Sequence, residues 1–151
     1  MSDDRHAGNY CITDLQQYAT SLVPPAHLAL TVLATVLSLY PHRDEALCDA
    51  GGLAVSKDTG PIAGFGDVIS ANAYGWRLGK VSQEHGILVR RRPDDRGLQL
   101  EVVDPIHELT VGDRIRLVPQ HACLVLAAQP WVYIVDGGDE VVDVWVPWKG
   151  W

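Results

Sequence analysis

The sequence predicts a mainly β fold, an antiparallel barrel or sandwich with one short helix near its N-terminus. Three observations carry this. From Leu28 onward short apolar runs recur, separated by turn signals such as Arg96-Gly97, Val111-Gly112-Asp113 and Asp136-Gly137-Gly138-Asp139. The helix signal lies at Asp14, where an N-cap residue is followed three positions later by Gln17. Finally, 151 residues, 47% of them hydrophobic, can bury a core for one domain without disulfide staples.

Taken in order, the capping signal starts a helix over residues 15–22, which Pro24-Pro25 ends. The preceding Gly8-Asn9-Tyr10-Cys11-Ile12-Thr13 is short and mildly β-forming. Residues 28–39 are apolar on both alternating sets, so this strand is expected to be covered on both faces. A turn at Pro41-His42-Arg43-Asp44 leads into a strand at 46–50, which Gly51-Gly52 breaks. Gly60, Pro61, Gly64, Gly66 and Gly75 mark residues 58–75 as a long loop. Further short strands are expected near 76–81, 86–91, 98–103, 113–118, 123–128, 131–136 and 141–146.

The formal net charge of -7 argues against a phosphate-backbone partner, so no nucleic acid is expected. The basic cluster Arg90-Arg91-Arg92 runs straight into Pro93-Asp94-Asp95 and reads as a solvated turn. Cys11, Cys48 and Cys123 are too few for a disulfide framework and fit the reducing cytoplasm. The polar start lacks the apolar stretch of a secretory signal. The most apolar run, residues 28–40, is too short to span a bilayer, so no membrane association is expected.

The sharpest chemical feature is Gln120-His121-Ala122-Cys123. In a strand, residues two apart share a face, so His121 and Cys123 would aim an imidazole and a thiol at one point. Both are good zinc ligands. A His-x-Cys pair also arises by chance, and two ligands do not close a structural zinc site. If metal binds, the open positions suggest catalysis rather than structure. His85 reads as a turn histidine, and His27, His42 and His107 as surface or turn residues. His6 adjoins Gly8-Asn9-Tyr10, whose backbone amides could hold an anion. The three lysines, Lys57, Lys80 and Lys149, carry no sign of a desolvated nucleophile.

Together these segments resemble a known family. His6-Ala7-Gly8-Asn9-Tyr10 with Asp14-Leu15-Gln16-Gln17 is similar to the last barrel strand and following helix of fungal D-serine dehydratases. So are residues 30–36, the run Asp49-Ala50-Gly51-Gly52-Leu53-Ala54-Val55-Ser56-Lys57-Asp58, and Ser82-Gln83-Glu84-His85-Gly86. Val111-Gly112-Asp113 with residues 117–123 resembles the family's metal-binding strand, and residues 142–151 its C-terminal end. The resemblance covers nearly the whole chain from His6, with the motifs in the family's order.

The resemblance implies a pyridoxal phosphate enzyme of the alanine racemase-like plan. A barrel domain carries the cofactor lysine, and a β domain closes the active site and helps form a homodimer. Residues 1–25 would be the remnant of the end of that barrel, and residues 26–151 the C-terminal β domain. Gly8, Asn9 and Tyr10 match the stretch at the cofactor phosphate. His121 and Cys123 match the two protein ligands to zinc. The implied reaction turns D-serine into pyruvate and ammonia, with zinc easing departure of the hydroxyl. With most of the barrel absent, the isolated chain is expected to be inactive and to expose an apolar surface. Two alternatives stay open. One is a free-standing dimerisation or regulatory β module. The other is a D-threonine aldolase-type lyase, although that family usually has Asp where this chain has Cys123.

Overall fold

The computed structural model describes residues 9–70, 75–92, 94–99 and 108–149. Eight strands and three short α-helices are seen among them. They are α1 (Leu15–Ala19), β1 (Val32–Tyr40), β2 (Glu45–Cys48), α2 (Gly52–Val55), β3 (Gly66–Val68), β4 (Trp76–Val81), β5 (Gly86–Arg90), β6 (Arg114–Pro119), α3 (Ala122–Ala128), β7 (Val132–Val135) and β8 (Val141–Trp145). Six strands close into an antiparallel barrel in the order β1-β2-β5-β4-β3-β6, while β7 and β8 form a separate ribbon. The expected mainly β class with a short N-terminal helix is what the chain adopts. No helix among the described residues is long and apolar enough to cross a membrane.

Alternation fills the barrel. Ala34 and Val36 of β1, Ala46 and Cys48 of β2, Leu78 of β4, Leu88 of β5, and Ile115 and Leu117 of β6 all point into one buried cluster. Two glycines let backbones approach. A Cβ on Gly86 would stand 2.4 Å from the Ala50 carbonyl oxygen, and one on Gly66 would stand 2.9 Å from that of Val118. β6 also uses its other face: Val118 packs outward with Leu15, Ile62 and Leu98, fixing α1 against the barrel wall.

Several elements depart from the sequence expectation. The helix ends at Ala19 rather than at residue 22, because Thr20 turns its hydroxyl onto the Gln17 carbonyl and Ser21 takes a left-handed φ of 62°. β1 begins at Val32, since Leu28 belongs to the small outer cluster instead. Its outward face is not covered in this chain: Leu33 and Leu37 are exposed. The expected loop 58–75 contains β3, a three-residue strand hidden by its glycine. Leu98 is buried and Gln99 exposed, neither of them in a strand, and residues 100–103 of the expected strand 98–103 fall outside the described residues. The run at 123–128 is helical rather than extended. Its Ala and Leu residues favour helix, and Ala122 and Val125 bury one face at helical spacing.

The basic cluster is not simply solvated. Arg90 stacks on the Trp76 ring at 4.5 Å, and Arg91 reaches the fully buried Asp67 at 3.2 Å. Burial pushes the Asp67 carboxyl above its ordinary value near 3.8, despite the Leu98 N–H at 2.7 Å and the Arg91 charge. A raised folded pKa means that Asp67 adds stability below its unfolded pKa and loses that contribution as pH rises through the folded value. Asp67→Asn should therefore gain on the wild type as pH rises from about 4 to 7. Urea titrations at several pH values measure this, and a stability difference independent of pH would contradict it.

Candidate functional site

A dense polar cluster forms where the N-terminal segment, the loop after α2 and the start of α3 meet. Its centre is Asp14, fully buried. One carboxylate oxygen accepts from the Gln16 N–H (3.0 Å) and Gln17 N–H (3.3 Å), which caps α1. The other accepts from the Asn9 side-chain amide (2.6 Å) and the Ala122 N–H (2.7 Å). Gln17 returns its side-chain oxygen to the Asp14 N–H at 3.2 Å, completing the capping box read from the sequence. A single carboxylate thus serves α1, the segment before it and the first turn of α3.

Beside Asp14, the Gln16 N–H donates to the Gln120 carbonyl (3.3 Å). The buried Gln120 side chain donates to the carbonyls of Ile62 and Gly64, both at 2.8 Å. This pins the 58–64 loop under α3. Gly60 closes the join: a Cβ there would stand 2.7 Å from Gln120 Oε1.

His121 is the N-cap residue of α3, in extended conformation, and Cys123 lies in its first turn. The two are close in sequence and in the fold, but they are not alternate residues of one strand as the sequence suggested. The α3 helix begins one residue too early for that. His121 is partly exposed, and its Nδ1 lies 2.7 Å from Asp58 Oδ2. The Cys123 thiol is exposed and free. Asp58 is held in turn by Gln16 Nε2 (3.2 Å) and the Thr59 N–H (3.0 Å). The His121 hydrogen bond holds the Asp58 carboxyl below its ordinary value, helped by the Thr59 and Gln16 donors.

An imidazole and a thiol are donor types that zinc takes. Among the described residues no group of three or more His, Cys, Asp and Glu side chains could hold a metal. A closed structural zinc site is therefore not what they form. His121 and Cys123 supply one imidazole and one thiol, and the Asp58 carboxylate meets the imidazole at Nδ1.

Of the three residues matched to a cofactor phosphate, Gly8 lies outside the described residues. Asn9 commits its side chain to Asp14 and Gln17, which leaves its backbone as the group able to meet an anion. Tyr10 is exposed. Of the lysines, Lys80 pairs with Glu45 at 3.1 Å, and Lys149 donates to the Leu126 carbonyl at the end of α3. His85 sits in a turn closed through Ser82, as expected, while His107 lies outside the described residues. Sequence reasoning missed the roles of Asp58, Gln16 and Gln120. Asp58 closes the Asp49–Asp58 motif, which was its one visible signal.

The family described as "Putative serine dehydratase domain" matches residues 29–135. A D-serine dehydratase of Schizosaccharomyces pombe is 39% identical over 97% of this chain, which covers 34% of that protein. The D-threo-3-hydroxyaspartate dehydratase of Delftia sp. HT23 superposes with a TM-score of 0.75 at 28% identity, over 95% of this chain and 38% of its own. Structures of that enzyme include a histidine-to-alanine variant and a cysteine-to-alanine variant two positions later, the second in the metal-free form. An uncharacterized Mycobacterium tuberculosis protein is 34% identical over 74% of this chain, which here covers 76% of the relative. The chain thus spans about a third of the length of the named dehydratases. By sequence and by fold, it belongs to the serine dehydratase domain family.

Proposed function

We propose that this chain is the metal-bearing β domain of a D-serine dehydratase. It would work with a barrel domain outside this sequence to convert D-serine into pyruvate and ammonia. The observation that carries the reading is the His121–Cys123 pair. It has the spacing of the histidine and cysteine substituted in the hydroxyaspartate dehydratase, whose cysteine variant is described as metal-free. D-serine and D-threo-3-hydroxyaspartate both carry a hydroxyl on the β-carbon. One metal placement therefore suits both.

When bound, pyridoxal phosphate would supply an electron sink and zinc a Lewis acid at the substrate hydroxyl. This chain's own part is positional. His121 and Cys123 would hold the metal, leaving positions open for substrate oxygen and water. The backbone of Gly8, Asn9 and Tyr10 would meet the cofactor phosphate. Asp14 fixes both parts relative to each other, because it bonds Asn9 on one side and Ala122 on the other. Residues 1–25 are then the end of the barrel domain carried over onto the β domain. The working enzyme is a cytoplasmic homodimer in this reading, which suits three cysteines that are all free.

Zinc binding by the full chain tests the reading directly. Either His121→Ala or Cys123→Ala should lower zinc affinity by at least about a hundredfold. Equal zinc retention by wild type and His121→Ala after dialysis would sink the ligand assignment. The chain alone, given pyridoxal phosphate, should yield no pyruvate from D-serine.

A second reading has its own support. The mycobacterial relative is matched over most of its length, so β domains of this size are also encoded separately. A dimerisation or regulatory module fits that observation. An immunoblot of source cells separates the two: a band at the mass of the longer dehydratases supports the first, and a band at 16.5 kDa supports the second.

A further inference from the structure

Metal-ligating imidazoles have two nitrogens, and the partner of one decides which is left for the metal. Here the partner of His121 is Asp58, whose Oδ2 lies 2.7 Å from Nδ1. An ionised carboxylate only accepts hydrogen bonds, so this contact requires the proton on Nδ1 and, in the neutral imidazole, leaves the Nε2 lone pair free. Asp58 does not rotate freely to make it. Gln16 Nε2 donates to the same oxygen at 3.2 Å, and the Thr59 N–H donates to the other at 3.0 Å. Gln16 is fixed in turn. Its side chain also donates to the Thr59 carbonyl at 3.0 Å, and its N–H to the Gln120 carbonyl at 3.3 Å. Gln16 belongs to α1, the helix next to the Asn9-Tyr10 segment.

We propose that Asp58 is the positioning residue of the metal centre. It sets Nε2 as the ligating atom of His121, and Gln16 holds it in place from the N-terminal helix. The proposal rests on the reading that His121 binds metal. Asp58 acts through His121 and takes no place among the ligands. The arrangement ties the α1 end of the site to the α3 end through side chains, in addition to the Asp14 cap.

Nitrogen-15 NMR of the metal-free full chain, with cobalt(II) titration followed by its absorption bands, tests it. In the wild type, His121 should be the Nδ1–H tautomer. In Asp58→Ala it should shift toward Nε2–H, and cobalt affinity should fall about ten- to a hundredfold. Asp58→Asn, whose amide oxygen can still accept from Nδ1, should keep the tautomer and most of the affinity. Gln16→Ala, which leaves the carboxylate in place, should weaken cobalt binding less than Asp58→Ala and covers the case in which that variant fails to fold. An Nε2–H tautomer in the wild type overturns the proposal, as does unchanged cobalt affinity in Asp58→Ala or, should that variant not fold, in Gln16→Ala. A wild type that binds no cobalt overturns the ligand reading and this proposal with it. Binding by the wild type with no effect of the variants overturns this proposal alone.

Discussion

Asp14→Ala is expected to destabilise the chain by about 3–5 kcal/mol, in the uppermost range for a single substitution. The carboxylate is fully buried and accepts four hydrogen bonds, from the N–H groups of Gln16, Gln17 and Ala122 and from the Asn9 side chain. Removing it strands those donors, at about 1–3 kcal/mol for each one left buried without a partner. The losses do not add in full, because α1 can fray and rehydrate its first turn. The Ala122 N–H has no such escape, since that residue is fully buried. Asp14→Asn should cost less, because one amide oxygen still caps one of the two helices. Urea unfolding followed by far-ultraviolet circular dichroism measures the effect. A loss below about 1 kcal/mol would mean that water replaces the carboxylate freely and that the cap is not structural.

Leu88→Ala should cost about 3–4 kcal/mol through the barrel interior. Leu88 lies on β5 opposite Ala46 of β2 and Leu78 of β4, and no part of it reaches solvent. Ala46, opposite it on β2, is too small to swing into the space, so most of the cavity should persist. For a domain of this size the midpoint of thermal unfolding should fall by about 10 °C. Leu88→Met, which conserves volume, should cost less than about 1.5 kcal/mol. A Leu88→Ala loss as small as that of Leu88→Met would mean that the barrel walls collapse around the gap.

The strands of the barrel and of the ribbon were legible in the sequence wherever alternation was clean. β4 was read with its observed bounds, and β5, β6, β7 and β8 to within a residue or two. The failures have physical causes. β3 is three residues long, with a glycine forced by the approach of the Val118 carbonyl, so it carries almost no pattern. The run 122–128 is a short apolar stretch whose periodicity cannot separate strand from buried helix, and its alanines decided for helix. That error reached the site. The sequence picked out His121 and Cys123, but the argument that a strand aligns them does not hold, because Cys123 stands in a helical turn. The Asp14–Gln17 capping box was visible because its partners are local. The partners of Asp14 in α3, and of His121 in the loop after α2, were invisible, because only the closed barrel brings those distant segments together.

The way the barrel closes also governs when the site can exist during folding. β1 pairs with β2 through a short turn, but Val32 must find Leu117, far along the chain, before β6 seals the wall. Such non-local pairings give a high contact order, and folding on the millisecond-to-second scale is typical of them. Gln120, His121 and Ala122 follow directly on β6. Until that last long loop closes, Asp14 has no Ala122 amide to meet and His121 has no Asp58. Site assembly therefore depends on the longest-range pairing of the barrel wall rather than on any local turn.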